Sequence, residues 1–188
     1  DEIIEKVLMA ILAGGHILLE DVPGVGKTTL ALTFSKVLGL DYKRMQFTPD
    51  SVPSDITGFS VYNKNSGEFQ YMEGCAMTNL LLADEINRAS SKTQSALLEV
   101  MEEGKITVDG VTRTVEKPFV VIATQNPTRW IGTQSLPNSQ LDRFMIRLNM
   151  GYPDMNNLIE IMKDRHHENP LDKVKHVINK NELINLQE

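Results

Sequence analysis

The apolar positions of this chain fall into two kinds of pattern. Ile3, Ile4, Val7, Leu8, Ile11 and Leu12 recur at three- and four-residue steps, the period of a helix with one buried face, and Gly14-Gly15 ends it. The second kind is the short unbroken run: Ile17-Leu18-Leu19, Leu80-Leu81-Leu82-Ala83 and Phe119-Val120-Val121-Ile122-Ala123. Runs this short, with no polar alternation, predict strands buried on both faces. Helical segments lie between them. One covers residues 30–38 and is closed by Gly39. Another is capped by Ser90 or Ser91, carries Leu97, Leu98 and Met101 inward, and stops near Gly104. Residues 42–47 and 145–148 predict two further strands, and 155–167 a helix, with the start of another at 182–186. Residues 48–58, with two prolines and two aspartates, read as a loop. Two segments alternate with period two and predict β-hairpins. One is 59–72, turning at 63–67; the other is 105–116, turning at Asp109-Gly110.

Strands alternating with helices, the strands apolar on both sides, imply an α/β fold: a parallel sheet with helices on both faces, in three layers. The hairpin at 59–72 is too thinly apolar for the main sheet and reads as an excursion from it. In such sheets ligands sit beyond the carboxyl ends of the strands.

Composition narrows the function. The chain has 188 residues and a net charge of −6, so no bulk basic field draws it to nucleic acid or an anionic membrane. Its one cysteine, Cys75, excludes an internal disulfide framework and fits a reducing compartment. With no signal peptide and no apolar run long enough to span a bilayer, a cytoplasmic location is expected. His16 opens the first strand with no second metal-type residue beside it, and reads as structural.

The chemistry begins at Glu20-Asp21-Val22-Pro23-Gly24-Val25-Gly26-Lys27-Thr28-Thr29, between a strand and a helix. Glycines at 24 and 26 let backbone N–H groups close around a polyphosphate. The helix that follows turns its free N–H groups and positive dipole end to the same anion. Lys27 reaches the β- and γ-phosphates, and the Thr28 hydroxyl can ligate Mg²⁺. The spacing is that of a P-loop, with Asp21 where a glycine usually stands. It specifies a nucleoside triphosphate without fixing the base. Asp84 ends a buried strand and can hold Mg²⁺ with Thr28; Glu85 follows it and can polarise a water for attack on the γ-phosphorus. Asn126 ends another strand, where its amide can orient that water and contact the γ-phosphate, or can simply form a turn before Pro127. Arg143 can neutralise charge on the transferring phosphoryl group, or be a surface arginine paired with Asp142 or Asp154. Arg88 has less support for the same task. Arg113 and Arg129 read as solvated.

These motifs together resemble one family. The run 82–89 (Leu-Ala-Asp-Glu-Ile-Asn-Arg-Ala), then 92–103, Ala123-Thr124-Gln125-Asn126-Pro127 and Gln140-Leu141-Asp142-Arg143-Phe144 are similar to the MoxR family of AAA+ ATPases, as are Gly15 to Glu20 and Gly151-Tyr152-Pro153. The resemblance runs from Ile3 to about Ile159. It implies a P-loop NTPase of the AAA+ type, with Walker A at 24–28, Walker B at Asp84 and Glu85, and sensor 1 at Asn126. It makes Arg143 an arginine finger acting on ATP in a neighbouring subunit, and assigns the hairpin at 59–72 to a helix-2 insert and that at 105–116 to an insert before sensor 1. A large ATPase domain over 1–153 is implied, with 154–188 holding a final helix and the start of a helical lid that continues beyond residue 188. The implied activity is Mg-ATP hydrolysis in a ring, a hexamer, that acts as a chaperone-like factor on client proteins, often with a von Willebrand A domain protein. Two rivals are a nucleotide-gated binding module with little turnover and a nucleic-acid-dependent motor. The acidic charge and the lack of a basic, aromatic stripe in either hairpin speak against the motor.

Overall fold

A computed structural model describes residues 2–20, 24–126, 136–151 and 170–188. Its centre is a five-stranded, wholly parallel sheet of β1 (Ile17–Glu20), β2 (Tyr42–Gln46), β5 (Leu80–Asp84), β8 (Val120–Gln125) and β9 (Ile146–Leu148). The spatial order is β2-β5-β8-β1-β9. Two antiparallel hairpins stand apart from it: β3 (Phe59–Asn63) with β4 (Glu68–Met72), and β6 (Lys105–Val108) with β7 (Val111–Thr114). Both were expected from period-two patterning, and Asp109, in the second turn, takes the positive φ that an Asp-Gly turn requires.

The unbroken apolar runs are explained by the two cores. Along β5, Leu80 and Leu82 enter one core and Leu81 and Ala83 the other; along β8, Val120 and Ile122 alternate with Val121 and Ala123 in the same way. All eight are fully buried. One face is covered by α1 (Glu2–Leu12) and α2 (Lys27–Val37), the other by α4 (Ser91–Glu103). Ser90 caps α4 by accepting from the Thr93 N–H, and Gly104 ends it in the left-handed conformation. The helix Lys180–Gln187 lies on the first face: Leu183 is buried there, and the Gln187 amide donates to the Ile11 carbonyl at 2.7 Å. The helix read at 155–167 lies outside the described residues.

One segment differs from the sequence reading. Residues 53–57 form a short helix, α3 (Pro53–Thr57), within what read as a loop. Pro53 suits a first helical turn, and the Asp55 carboxylate accepts from the Val52 N–H at 2.9 Å. Ile56 is fully buried and anchors the turn, a tertiary contact with no periodic trace in five residues. A four-residue helix, α5 (Asn138–Leu141), precedes β9.

Candidate nucleotide site

The strand order decides which loops meet. β8 lies between β1 and β5, so the last residues of β1 and β5 stand about 10 Å apart, two strand spacings, with the end of β8 between them.

Gly24 and Gly26 have φ of +90° and +92°, and a Cβ added at either would meet nothing within 4 Å. Glycine is required there by backbone conformation, not by crowding. Gly26 is the N-cap of α2; no side chain caps this helix, and its first turn holds no acidic residue. That helix end therefore offers N–H groups and an undiluted positive dipole end. Lys27 is buried, Val25 and Thr28 are half-buried and Thr29 is exposed. Asp21, Val22 and Pro23 lie outside the described residues.

Asp84 ends β5 on the face that α2 covers, since it shares the parity of Leu80 and Leu82. Both its oxygens are held. The Thr124 hydroxyl donates to Oδ1 at 2.6 Å, and Arg44, from β2, donates to Oδ2 at 2.8 Å. Thr124 Oγ1 also accepts the Glu85 N–H at 2.8 Å, so one buried hydroxyl fixes the backbone of one acid and the carboxylate of the other. Glu85 has φ 58° and ψ 46°, left-handed for a residue with a side chain. Such a conformation costs on the order of 1–3 kcal/mol and gathers at functional sites. Its Oε2 accepts from Arg88 at 3.0 Å.

Asn126 is 5 % exposed. Its backbone is clamped by Asn87, which donates from Nδ2 to the Asn126 carbonyl at 3.0 Å and accepts the Asn126 N–H at 3.3 Å. Its side-chain Oδ1 is buried and has no hydrogen-bond partner. A buried acceptor left unpaired is rare and points to a group supplied from outside the chain.

The P-loop, Asp84, Glu85 and Asn126 therefore share one edge of the sheet, as expected. Arg143 does not join them. It precedes β9, at the edge where strands begin, and its guanidinium pairs with Glu102 at 2.7 Å and donates to the Ser139 carbonyl at 2.6 Å. Among the described residues its ion-pair partner is Glu102, not Asp142; Asp154 lies outside them. Arg113 is not simply solvated: its guanidinium lies 3.8 Å above the Tyr71 ring and joins the two hairpins. Arg129 lies outside the described residues. Thr124, Arg44 and Asn87 were missed by sequence reasoning. The only signal for Thr124 was its place beside Asn126 at a strand end; for Asn87, its place two residues after the acid pair.

The profile of the ATPase family associated with various cellular activities (AAA) matches residues 16–146. The chain is 44% identical over 188 residues to Chaperone MoxR1 of Mycobacterium tuberculosis, covering 100% of this chain and 49% of that protein. This chain belongs to the MoxR family of AAA+ ATPases. It is also 53% identical over 180 residues to the protein YeaC of Bacillus subtilis, covering 96% of this chain and 56% of YeaC. A crystal structure from Cytophaga hutchinsonii superposes with a TM-score of 0.89 at 41% identity, over 99% of this chain and 56% of that one. The chain thus spans about half the length of the relatives it matches. Among the described residues of this MoxR-family chain, no helix is long and apolar enough to cross a membrane.

The donor set suits a magnesium nucleotide. The Thr28 hydroxyl and the Asp84 carboxylate are hard oxygen donors of the kind Mg²⁺ takes, few in number as is usual where phosphates complete its shell. The unpaired Oδ1 of Asn126 and the open turn at Gly24 and Gly26 offer further polar contacts for a bound group.

Proposed function

We propose that this chain binds Mg-ATP at the strand-end edge and hydrolyses it. Gly24 to Thr29 hold the phosphates, with 21–23 completing the loop and Lys27 on the β- and γ-phosphates. Thr28 and Asp84 would hold Mg²⁺, which when bound offsets charge on the β- and γ-phosphate oxygens. Glu85 is the general base toward the attacking water, and Asn126 orients that water against the γ-phosphate. Arg143 completes the site of a neighbouring copy; its place at the strand-start edge supports action in trans, because a nucleotide held by its own chain lies at the other end of the strands. The observation that carries the reading is Thr124, one buried hydroxyl that sets Asp84 and Glu85 together beside an unpaired Asn126.

The whole protein would work as a hexameric ring in the cytoplasm, remodelling or maturing client proteins in a chaperone-like role, with a von Willebrand A domain protein as partner. The name of the mycobacterial relative supports the chaperone role. Residues 1–153 would form the large ATPase domain and 154–188 the approach to a helical lid. A second reading, a nucleotide-gated module with little turnover, draws on the Glu85–Arg88 pair, because the guanidinium occupies one of the carboxylate oxygens that would meet the attacking water.

The test is turnover and nucleotide binding in the full-length protein. Glu85→Gln should retain ATP and lower turnover by about 10²- to 10⁴-fold, while Lys27→Ala should lose binding. Unchanged turnover in Glu85→Gln refutes the base assignment, and negligible turnover in the unaltered protein favours the gating module.

A further inference from the structure

The carboxylate assigned to magnesium already has a cation of its own. Arg44 stands opposite Leu82 in the β2–β5 register, on the face that carries α2, and reaches one strand over to Asp84 Oδ2 at 2.8 Å. The other oxygen, Oδ1, accepts a neutral hydroxyl from Thr124. The two partners differ in consequence. A hydroxyl on Oδ1 orients the carboxylate and leaves its charge for a metal. A guanidinium on Oδ2 neutralises that charge and puts a full positive charge beside any divalent cation that shares the carboxylate. The pair is also asymmetric in freedom: the Asp84 side chain is 14% exposed, whereas that of Arg44 is 43% exposed on a long flexible stem. The acid stays fixed while the arginine has water to move into.

We propose that Arg44 competes with Mg²⁺ for Asp84 and so sets the magnesium concentration at which this chain binds nucleotide. The proposal rests on the reading of Asp84 as a magnesium ligand. Arg44 acts through Asp84 and is a positioning residue. An arginine that merely held Asp84 in place would have the opposite effect when removed, because a misplaced carboxylate binds metal less well.

The experiment is binding of a fluorescent ADP analogue to the full-length protein, titrated with MgCl₂, with the magnesium midpoint as readout. Arg44→Ala and Arg44→Gln should lower the midpoint by about fivefold, the upper end for a partly exposed ion pair. Arg44→Lys, which keeps the charge, should stay within about twofold of the unaltered protein. Asp84→Asn should raise the midpoint. If it does, and the two neutral Arg44 variants leave the midpoint unchanged or raise it, the competition is refuted while Asp84 stands as ligand. If Asp84→Asn leaves the midpoint where it was, Asp84 is not the ligand and both ideas fall together.

Discussion

The two edges of the central sheet are built on opposite principles. At the edge where strands begin, Asn79 and His16 bridge elements with their side-chain polar atoms all partnered, although Gln140 Oε1, on the helix before β9, is buried without a partner. Asn79 is fully buried just before β5; its Oδ1 accepts the Asp41 N–H, and its Nδ2 donates to the carbonyls of Glu116 and Pro118, so it ties together the entries to β2, β5 and β8. His16 does the same for β1: Nδ1 accepts the Val121 N–H at 3.0 Å, and Nε2 donates to the Met101 carbonyl at 3.1 Å, which fixes the neutral Nε2–H tautomer. At the edge where strands end, Glu85 is left-handed, Asn126 Oδ1 is unpaired and two arginines sit on the two acids. Satisfied polar groups hold strands together. The strained Glu85 and the unpaired Asn126 Oδ1 mark the edge where the proposed nucleotide would sit.

The sharpest way to break this contrast is to delete one asparagine from each edge. Asn79→Ala removes the partner of three backbone groups, the Pro118 carbonyl buried and the other two part-buried, and should cost about 3 kcal/mol of stability by denaturant unfolding, at roughly 1–3 kcal/mol per unpaired group. Nucleotide affinity per folded molecule should not change. Asn126→Ala removes an Oδ1 that had no partner, so its stability cost should be smaller, while ATP turnover in the full-length protein should fall by about 10²-fold, the usual effect of losing one oriented polar group at a reacting centre. Reversed outcomes would erase the distinction.

What the sequence displays follows the same division. The doubly buried strands were legible because burial on both faces demands unbroken apolar runs, as in Leu80 to Leu82. The Asp109-Gly110 turn and the Ser90 cap were legible because each solves a local backbone problem. Glu85, Asp84 and Lys27 stood out by their order along the chain. Thr124, Arg44, Asn79 and Asn87 did not, because each acts across strands whose pairing is set by the fold, and a threonine or an arginine alone in a strand carries no spacing signal. Arg143 shows the same limit: its partner, Glu102, lies on α4, far along the chain. The helix at 53–57 was hidden because its one anchor, Ile56, has no periodic neighbour.

A smaller effect tests the strain at the strand-end edge. Glu85→Gly removes the side chain from a left-handed position. It should raise stability by up to about 1 kcal/mol, the backbone strain relieved less the partly exposed pair with Arg88. It should also abolish turnover. A gain in melting temperature together with lost activity would show strain kept for function; a loss of stability would show that the Arg88 pair outweighs the strain.

The smallest effect is pH dependence from the other edge. Burial lowers the His16 pKa, and its Nδ1 must stay unprotonated to accept from Val121. The unfolded chain therefore binds a proton that the folded one resists. The contribution is fully present above the unfolded value of about 6.5 and is lost as pH falls from there through the lowered folded value. His16→Gln should flatten that part of the stability profile, measured by thermal unfolding between pH 7 and 5. Cys75, pushed up to about 12 by burial, should meanwhile stay unreactive toward thiol reagents in the folded protein.

Where the nucleotide sits is tested most directly by hydrogen exchange with and without Mg-ATP. Slower exchange is predicted across 24–30, 84–88 and 124–126, with residues 15–17 and 78–80 unchanged. Protection confined to the strand-start edge, or none at the Gly24–Thr28 turn, would contradict the account.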